Sequence, residues 1–322
     1  MTGSQPNLGE VASLTQRLAV LLSAGVAPAS AWRYLAEAAS ISNAPSPAPQ
    51  PTSAPGSAWV VADAVARSEA GPAAITGVIL AATQRMPRLE SDAWRGLAAC
   101  WQVATIAGAP LAAALRDYAR SLRSLAEAQR DAQVALAAPA ATARLVMALP
   151  AVGVLFGAGL GFDTFRTLFA TPIGWGCLAI GAGLMLAAAR WNRALVRAAQ
   201  PESAVPGLDC ELIAIAVSGG GSLPAARSTV DAALELCGLV ARAGEVDAVV
   251  ELSRAAGVPA AELLRSEAEE LRRSARARAQ ERAAALSVKL MLPLGLCVLP
   301  AFMVLGVIPL LIAVISSTVS TW

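Results

Sequence analysis

Apolar residues recur along this chain mostly at helical spacing, and polar breaks between them divide it into segments. Leu14, Leu18, Leu21 and Leu22 fall on one face of a helix, and Gly25 and Pro28 mark a turn, after which Ala29–Ala39 resumes the helix with Trp32 and Leu35. Helical patterns return at 58–68, at 75–86 and at 91–107, the last carrying Trp94, Leu97, Trp101 and Ile106. Gly108-Ala109-Pro110 ends one helix and starts the next, with glycine past the end and proline near the first turn. That next helix shows the clearest stripe, Leu111, Leu115, Tyr118, Leu122 and Leu125, with Arg116, Arg120, Arg123 and Arg130 on its other face. No stretch alternates with the period of a strand, so the expected class is all-α.

Three longer apolar runs stand apart from these amphipathic helices. They lie at about 145–160, 173–189 and 290–315. A helix needs about 20 apolar residues to cross a bilayer core, so each run is expected to be a membrane span. The last contains Pro293, Pro300 and Pro309, which a membrane helix tolerates where neighbours or local readjustment satisfy the freed carbonyls. Basic residues gather before the first run, after the second and before the third: Arg116 to Arg144, Arg190 to Arg197, and Arg272 to Lys289. Between the first two runs lies only Arg166, and nothing basic follows the third. The positive-inside rule then puts the N-terminus and the segment between the second and third runs in the cytoplasm, and the C-terminus outside.

The chain also resembles itself. Leu18–Ala31 (LAVLLSAGVAPASA) parallels Ile213–Ala226 (IAIAVSGGGSLPAA). Ala107-Gly108-Ala109-Pro110 parallels Ala256-Gly257-Val258-Pro259, Leu115-Arg116 parallels Leu264-Arg265, and Leu122-Arg123 parallels Leu271-Arg272. Leu149-Pro150-Ala151 parallels Leu299-Pro300-Ala301. These ordered blocks point to two copies of one unit, each a helical bundle leading through a long helix into a span. The expected organisation is a first helical domain over 1–142, a membrane hairpin over 143–190 with a short outside loop at 161–171, a second helical domain over 191–287, a third span over 288–316 and an external tail at 317–322. Residues 42–57 hold five prolines among small residues and are expected to form a disordered or extended insert in the first domain.

Composition sharpens this picture and narrows the chemistry. Of 322 residues, 56% are hydrophobic, above the 45–50% or so of soluble domains, and mean hydropathy is +0.56. The net charge of +2 gives no field for nucleic acid. There is no histidine, hence no imidazole base or ligand. Cys100, Cys177, Cys210, Cys237 and Cys297 form no CxxC pair and read as small buried hydrophobes, so no metal site is expected. Walker A, GxGxxG, HExxH and GxSxG patterns are missing, and Gly219-Gly220-Gly221 is not followed by GK[ST]. No catalytic residue and no cofactor are expected, and the chain is not expected to be an enzyme. Nearly uncharged runs also weigh against the alternative of a transporter subunit.

The stretches Leu18–Ala31, Gly161–Trp191 and Lys289–Leu311 resemble, in this order, the type II secretion system F-domain family. Within it they are most similar to the inner-membrane platform proteins of Tad/Flp (tight adherence) pili. The resemblance implies a multi-pass platform in the cytoplasmic membrane that couples a cytoplasmic hexameric secretion ATPase to extrusion of pilin subunits. It implies homo-oligomers or hetero-oligomers with a related platform protein, and contact with membrane lipid. Platforms of type II secretion or competence systems share the same pattern. On the helix before the third span, acids come first (Glu262, Glu267, Glu269, Glu270) and arginines follow, which suits the helix dipole and suggests an i, i+4 pair of Glu269 with Arg273. Arg272, Arg273, Arg276 and Arg278 are expected on its exposed face, as candidates for docking a cytoplasmic partner.

Overall fold

The structure is a computed structural model that describes residues 7–42, 56–68, 71–159, 169, 172–198, 205–240, 243–289, 291–309 and 311–312. All secondary structure among the described residues is helical. The insert between Ser42 and Gly56, most of the loop at 161–171 and the tail at 317–322 lie outside the described residues. The chain divides into two compact units, one built from 1–129 with 202–277 and the other from 130–201 with 278–322.

In the first unit the helices are α1 (Leu8–Ser23), α2 (Pro28–Ser42), α3 (Ser57–Arg67), α4 (Ile75–Thr83), α5 (Arg88–Ala107) and the beginning of α6 (Leu111–Gly159). Residues 202–277 add α8 (Leu208–Ser218), α9 (Leu223–Cys237), α10 (Ala243–Ala256) and most of α11 (Ala260–Lys289). Both stretches share one continuous hydrophobic core. Its centre is α5, which packs against α1 and α4 on one side of the sequence and against α8 and α9 on the other. Trp94, Leu97, Cys100 and Trp101 of α5 are fully buried. Trp101 packs at a tilt of 52° against Trp32 of α2, with ring centroids 6.1 Å apart, and its indole N–H donates to the Pro72 carbonyl at 2.8 Å.

The matched sequence blocks fold into the same turns. Gly108 and Gly257 both take the left-handed conformation, at φ +66° and +65°. After each, an N–H reaches back five residues, Ala109 to Ala104 and Val258 to Ser253, the Schellman pattern that glycine permits. The Gly25 and Gly220 turns also share their hydrogen bonds, N–H to Leu22 and to Val217 respectively. The halves part company beyond these points. Residues 43–87 carry α3 and α4, whereas only 238–242 separate α9 from α10.

In the second unit, α7 (Pro172–Ala198) packs along the chain from Met291 to Val307. Gly174, Gly181 and Ala188, spaced by seven, form its buried seam. A Cβ on Gly181 would collide with the Leu305 side chain, so a small residue there lets the helices approach closely. The run 291–307 alternates α and π turns, with π segments at Leu294–Val298 and Met303–Val307. Proline supplies no N–H to the carbonyl four residues earlier. For Pro293, Pro300 and Pro309 these carbonyls belong to Lys289, Leu296 and Leu305. The first ends α11 and the other two sit inside the π segments, which is the local readjustment such a helix requires. Among the described residues, one helix is long and apolar enough to cross a membrane, Ala260–Val307. Only 31% of its apolar window is buried, unlike a soluble core helix. The runs at 145–160 and 173–189 lie in α6 and α7.

One close approach in the first unit makes a stability prediction. Tyr118 of α6 is fully buried, and its hydroxyl donates to the Ala93 carbonyl of α5 at 2.6 Å. It occupies the space a Cβ on Gly96 would need. Gly96→Ala is expected to lower the melting temperature of the purified chain, at a cost of about 1–3 kcal/mol for overpacking. Adding Tyr118→Phe removes the colliding oxygen, so the double variant should melt higher than the sum of the single losses implies. Strict additivity in thermal denaturation would contradict this contact.

Candidate functional site

Glu211 is a carboxylate buried in the first unit, and the fold puts it there through a backbone contact four residues away. Gly207 precedes α8 in a left-handed conformation, φ +74°. A Cβ at Gly207 would lie 2.9 Å from the Cα and the carbonyl oxygen of Ala268 on α11. Without one, the start of α8 lies directly on α11. One turn further along both helices, Glu211 meets Arg272.

Glu211 is 4% exposed and its partner's side chain 18%. Arg272 Nη1 donates to Glu211 Oε2 at 2.9 Å. The Ser121 hydroxyl of α6 lies 3.1 Å from the same oxygen and 3.1 Å from the Asp117 carbonyl. Glu211 Oε1 is buried with no protein partner. Three helices thus meet on one carboxylate oxygen. Burial pushes the Glu211 carboxyl above the ordinary glutamate range; the Arg272 charge and the Ser121 hydrogen bond pull it down, and Asp117 adds a smaller upward push. Burial prevails, although Arg272 and Ser121 both act on Oε2.

Next to this network the thiols are inert. Burial pushes Cys100 well above its usual range and Cys237 up to about 11. The Tyr118 phenol is raised in the same way. The geometry supports a structural joint between segments far apart in sequence, rather than a nucleophile. Among the described residues no group of three metal-ligating side chains converges.

The arginines expected together on one outer face are placed differently. Arg272 is turned into the unit, because the buried Glu211 carboxylate requires a cation. Arg273 points outward, 69% exposed, and pairs with Glu270 at 3.4 Å rather than with Glu269. Arg276 is 3.8 Å from Glu127 of α6. Arg278 is exposed and belongs to the second unit. Glu211 itself went unnoticed in the sequence. The available signal was the pair of acids, Asp209 and Glu211, that opens Leu208–Ser218, a helix otherwise apolar on nearly every side; such a helix is buried, and an acid inside it needs a partner.

These features define an all-helical protein with a tightly cored polar unit and a second unit that exposes apolar side chains. Residues 182–308 match the family model for the type II secretion system (T2SS), protein F, which is less than half of the chain. The matched stretch contains α8 to α11, the Glu211–Arg272 pair and the apolar helix. No curated protein and no solved structure matches the chain.

Removing one partner of the buried pair has a predictable sign. Arg272→Ala leaves Glu211 buried without its cation and should cost about 3–5 kcal/mol at neutral pH. In acid the carboxyl is protonated and the loss should shrink. The pH dependence of the native pair follows from the raised Glu211 value. Folding favours the protonated acid, so this site's contribution to stability falls as pH rises from the ordinary glutamate range through the raised folded value. Glu211→Gln should abolish that dependence. Its melting temperature relative to the native chain should therefore improve steadily from acid to neutral pH, and a constant difference would contradict the assignment.

Proposed function

We propose that this chain is the inner-membrane platform of a pilus-assembly or type II-like secretion machine, of the Tad/Flp kind. The observation that carries the reading is the match of residues 182–308 to the type II secretion F family, over a stretch whose last helix turns from charged to apolar. The apolar surface of the second unit supports it. Trp175, Ile180 and Leu186 on α7 and Leu292, Leu296, Leu299 and Met303 on the last helix are all exposed, a surface suited to lipid rather than water.

In this reading the spans at 145–160, 173–189 and 290–315 all cross the membrane, with the N-terminus inside and the C-terminus outside. The first unit faces a cytoplasmic hexameric secretion ATPase, whose work reaches the membrane through α6 and α11 and drives extrusion of pilin subunits. The platform acts without chemistry of its own and assembles with further copies or with a related platform chain. Its contact with the ATPase includes Arg273, the outward-facing member of the arginine group. Arg272 is excluded from such a test, because altering it breaks the joint on Glu211.

Two measurements test the proposal. A reporter active only outside the cytoplasm should be active when fused after Trp322 and silent when inserted at Gly238; the reverse would sink the orientation. Arg273→Glu should leave the membrane level of the chain unchanged but abolish co-purification with the cognate ATPase. Retained capture would dismiss Arg273 as the contact, whereas ATP hydrolysis by the purified chain alone would overturn the platform reading.

A further inference from the structure

The second unit carries a set of cations that its own acids do not answer. Arg190 and Arg193 on α7 and Arg278, Arg282 and Lys289 on α11 are all exposed. None of them forms an ion pair among the described residues. The acid nearest them in sequence is Glu281, itself exposed. Further toward the start of α11, Arg272, Arg273 and Arg276 each have a carboxylate partner.

Helix register brings three of these cations, Arg190, Arg193 and Lys289, toward one level, with Arg282 and Arg278 further back along α11. Gly181 of α7 abuts Leu305, and Ala188, two turns on, packs with Cys297 and Val298. Seven residues forward on α7 therefore correspond to seven or eight residues back on the last helix, so the two run antiparallel. Continued in the same direction, α7 reaches Arg190 and Arg193 while the other helix runs back through Pro293 to Lys289. Charge thus begins on both helices within about two turns of the Ala188 level. Beyond it, toward Gly181 and Leu305, the exposed side chains are apolar. Trp191, 38% exposed, stands between the two arginines of α7, where an amphipathic ring suits a boundary between lipid and water.

We propose that Arg190, Arg193 and Lys289 form a collar that binds the headgroups of anionic phospholipids, so that the unit selects lipids by charge at one face of the bilayer. Unpaired guanidinium and ammonium groups at the edge of an apolar belt match a phosphate tethered to acyl chains: the chains cover the belt and the phosphate meets the cations. Guanidinium groups suit the phosphate geometrically, since they donate in a fork. The inference rests on the membrane placement of this unit.

The test uses the full chain. It is reconstituted into vesicles of phosphatidylcholine, with or without phosphatidylglycerol, and lipid retention after detergent extraction is counted by native mass spectrometry. The native chain should insert into both vesicle types and retain phosphatidylglycerol in preference to phosphatidylcholine. Excess inorganic phosphate should not displace the retained lipid. Neutralising Arg190, Arg193 and Lys289 to glutamine should weaken phosphatidylglycerol retention, by about fivefold per cation, and leave phosphatidylcholine retention unchanged. Glu281→Gln, which removes the competing acid, should strengthen it, an effect that a damaged fold would not produce. Equal retention of the two lipids by an inserted chain overturns the collar and leaves the membrane placement standing. Displacement by inorganic phosphate also overturns it, in favour of a site for the free anion. Failure to insert into either vesicle overturns the membrane placement and the collar together.

Discussion

The first unit depends on the complete burial of one helix. Helix α5 has no face left for water along its middle turns: Trp94, Leu97, Cys100 and Trp101 are enclosed from several directions. A helix surrounded in this way must find covering elements; the nearby chain supplies α1, α4, Trp32 of α2 and Tyr118 of α6. The remaining cover is α8 and α9, which arrive more than a hundred residues later. The two stretches that resemble each other in sequence are therefore joined by a common core. Burying several tryptophan-sized side chains also makes this centre intolerant of truncation, since each such loss typically costs about 3–5 kcal/mol.

The Glu211 network adds specificity to that core. A buried carboxylate is costly, and a buried ion pair gains little net stability over well-packed apolar residues. What the pair does accomplish is to fix α8 against α11 in one register, with Gly207 on Ala268 and Glu211 opposite Arg272. Ser121 brings α6 to the same point. A slip of one residue along either helix would strand both charges, so the register is enforced by the penalty for getting it wrong. Helices α6 and α11 are also the two that continue into the second unit, so the joint holds them where they leave the first.

The second unit solves the opposite problem. Between Ala188 and Gly181 on α7 and opposite them on the last helix its exposed side chains are apolar, and small residues rather than hydrophobic burial let its helices meet. Gly174, Gly181 and Ala188 supply the close approach, and π turns take up the carbonyls that prolines leave free. The match to a type II secretion F model spans part of both units.

Local information was legible in the sequence wherever a feature depends on a few neighbouring residues. Helix ends at Gly25, Gly108, Gly220 and Gly257 follow from glycine's freedom to take positive φ, and the turns at matched blocks are alike because their residues are alike. The all-α class followed from the 3.6-residue period, and the apolar run before Val307 from its composition. What the sequence left open depends on contacts between distant segments. Helix α11 is studded with arginines all round, so its pattern does not say which of them turns inward. That choice was made by Gly207, some sixty residues earlier, whose missing side chain sets α8 on Ala268 and so presents Glu211 to Arg272 rather than to Arg273. Likewise, periodicity marks α5 as a helix with an apolar face but does not reveal that later helices close its remaining sides. Periodicity records which face of a helix is apolar; only the packed structure determines what covers it.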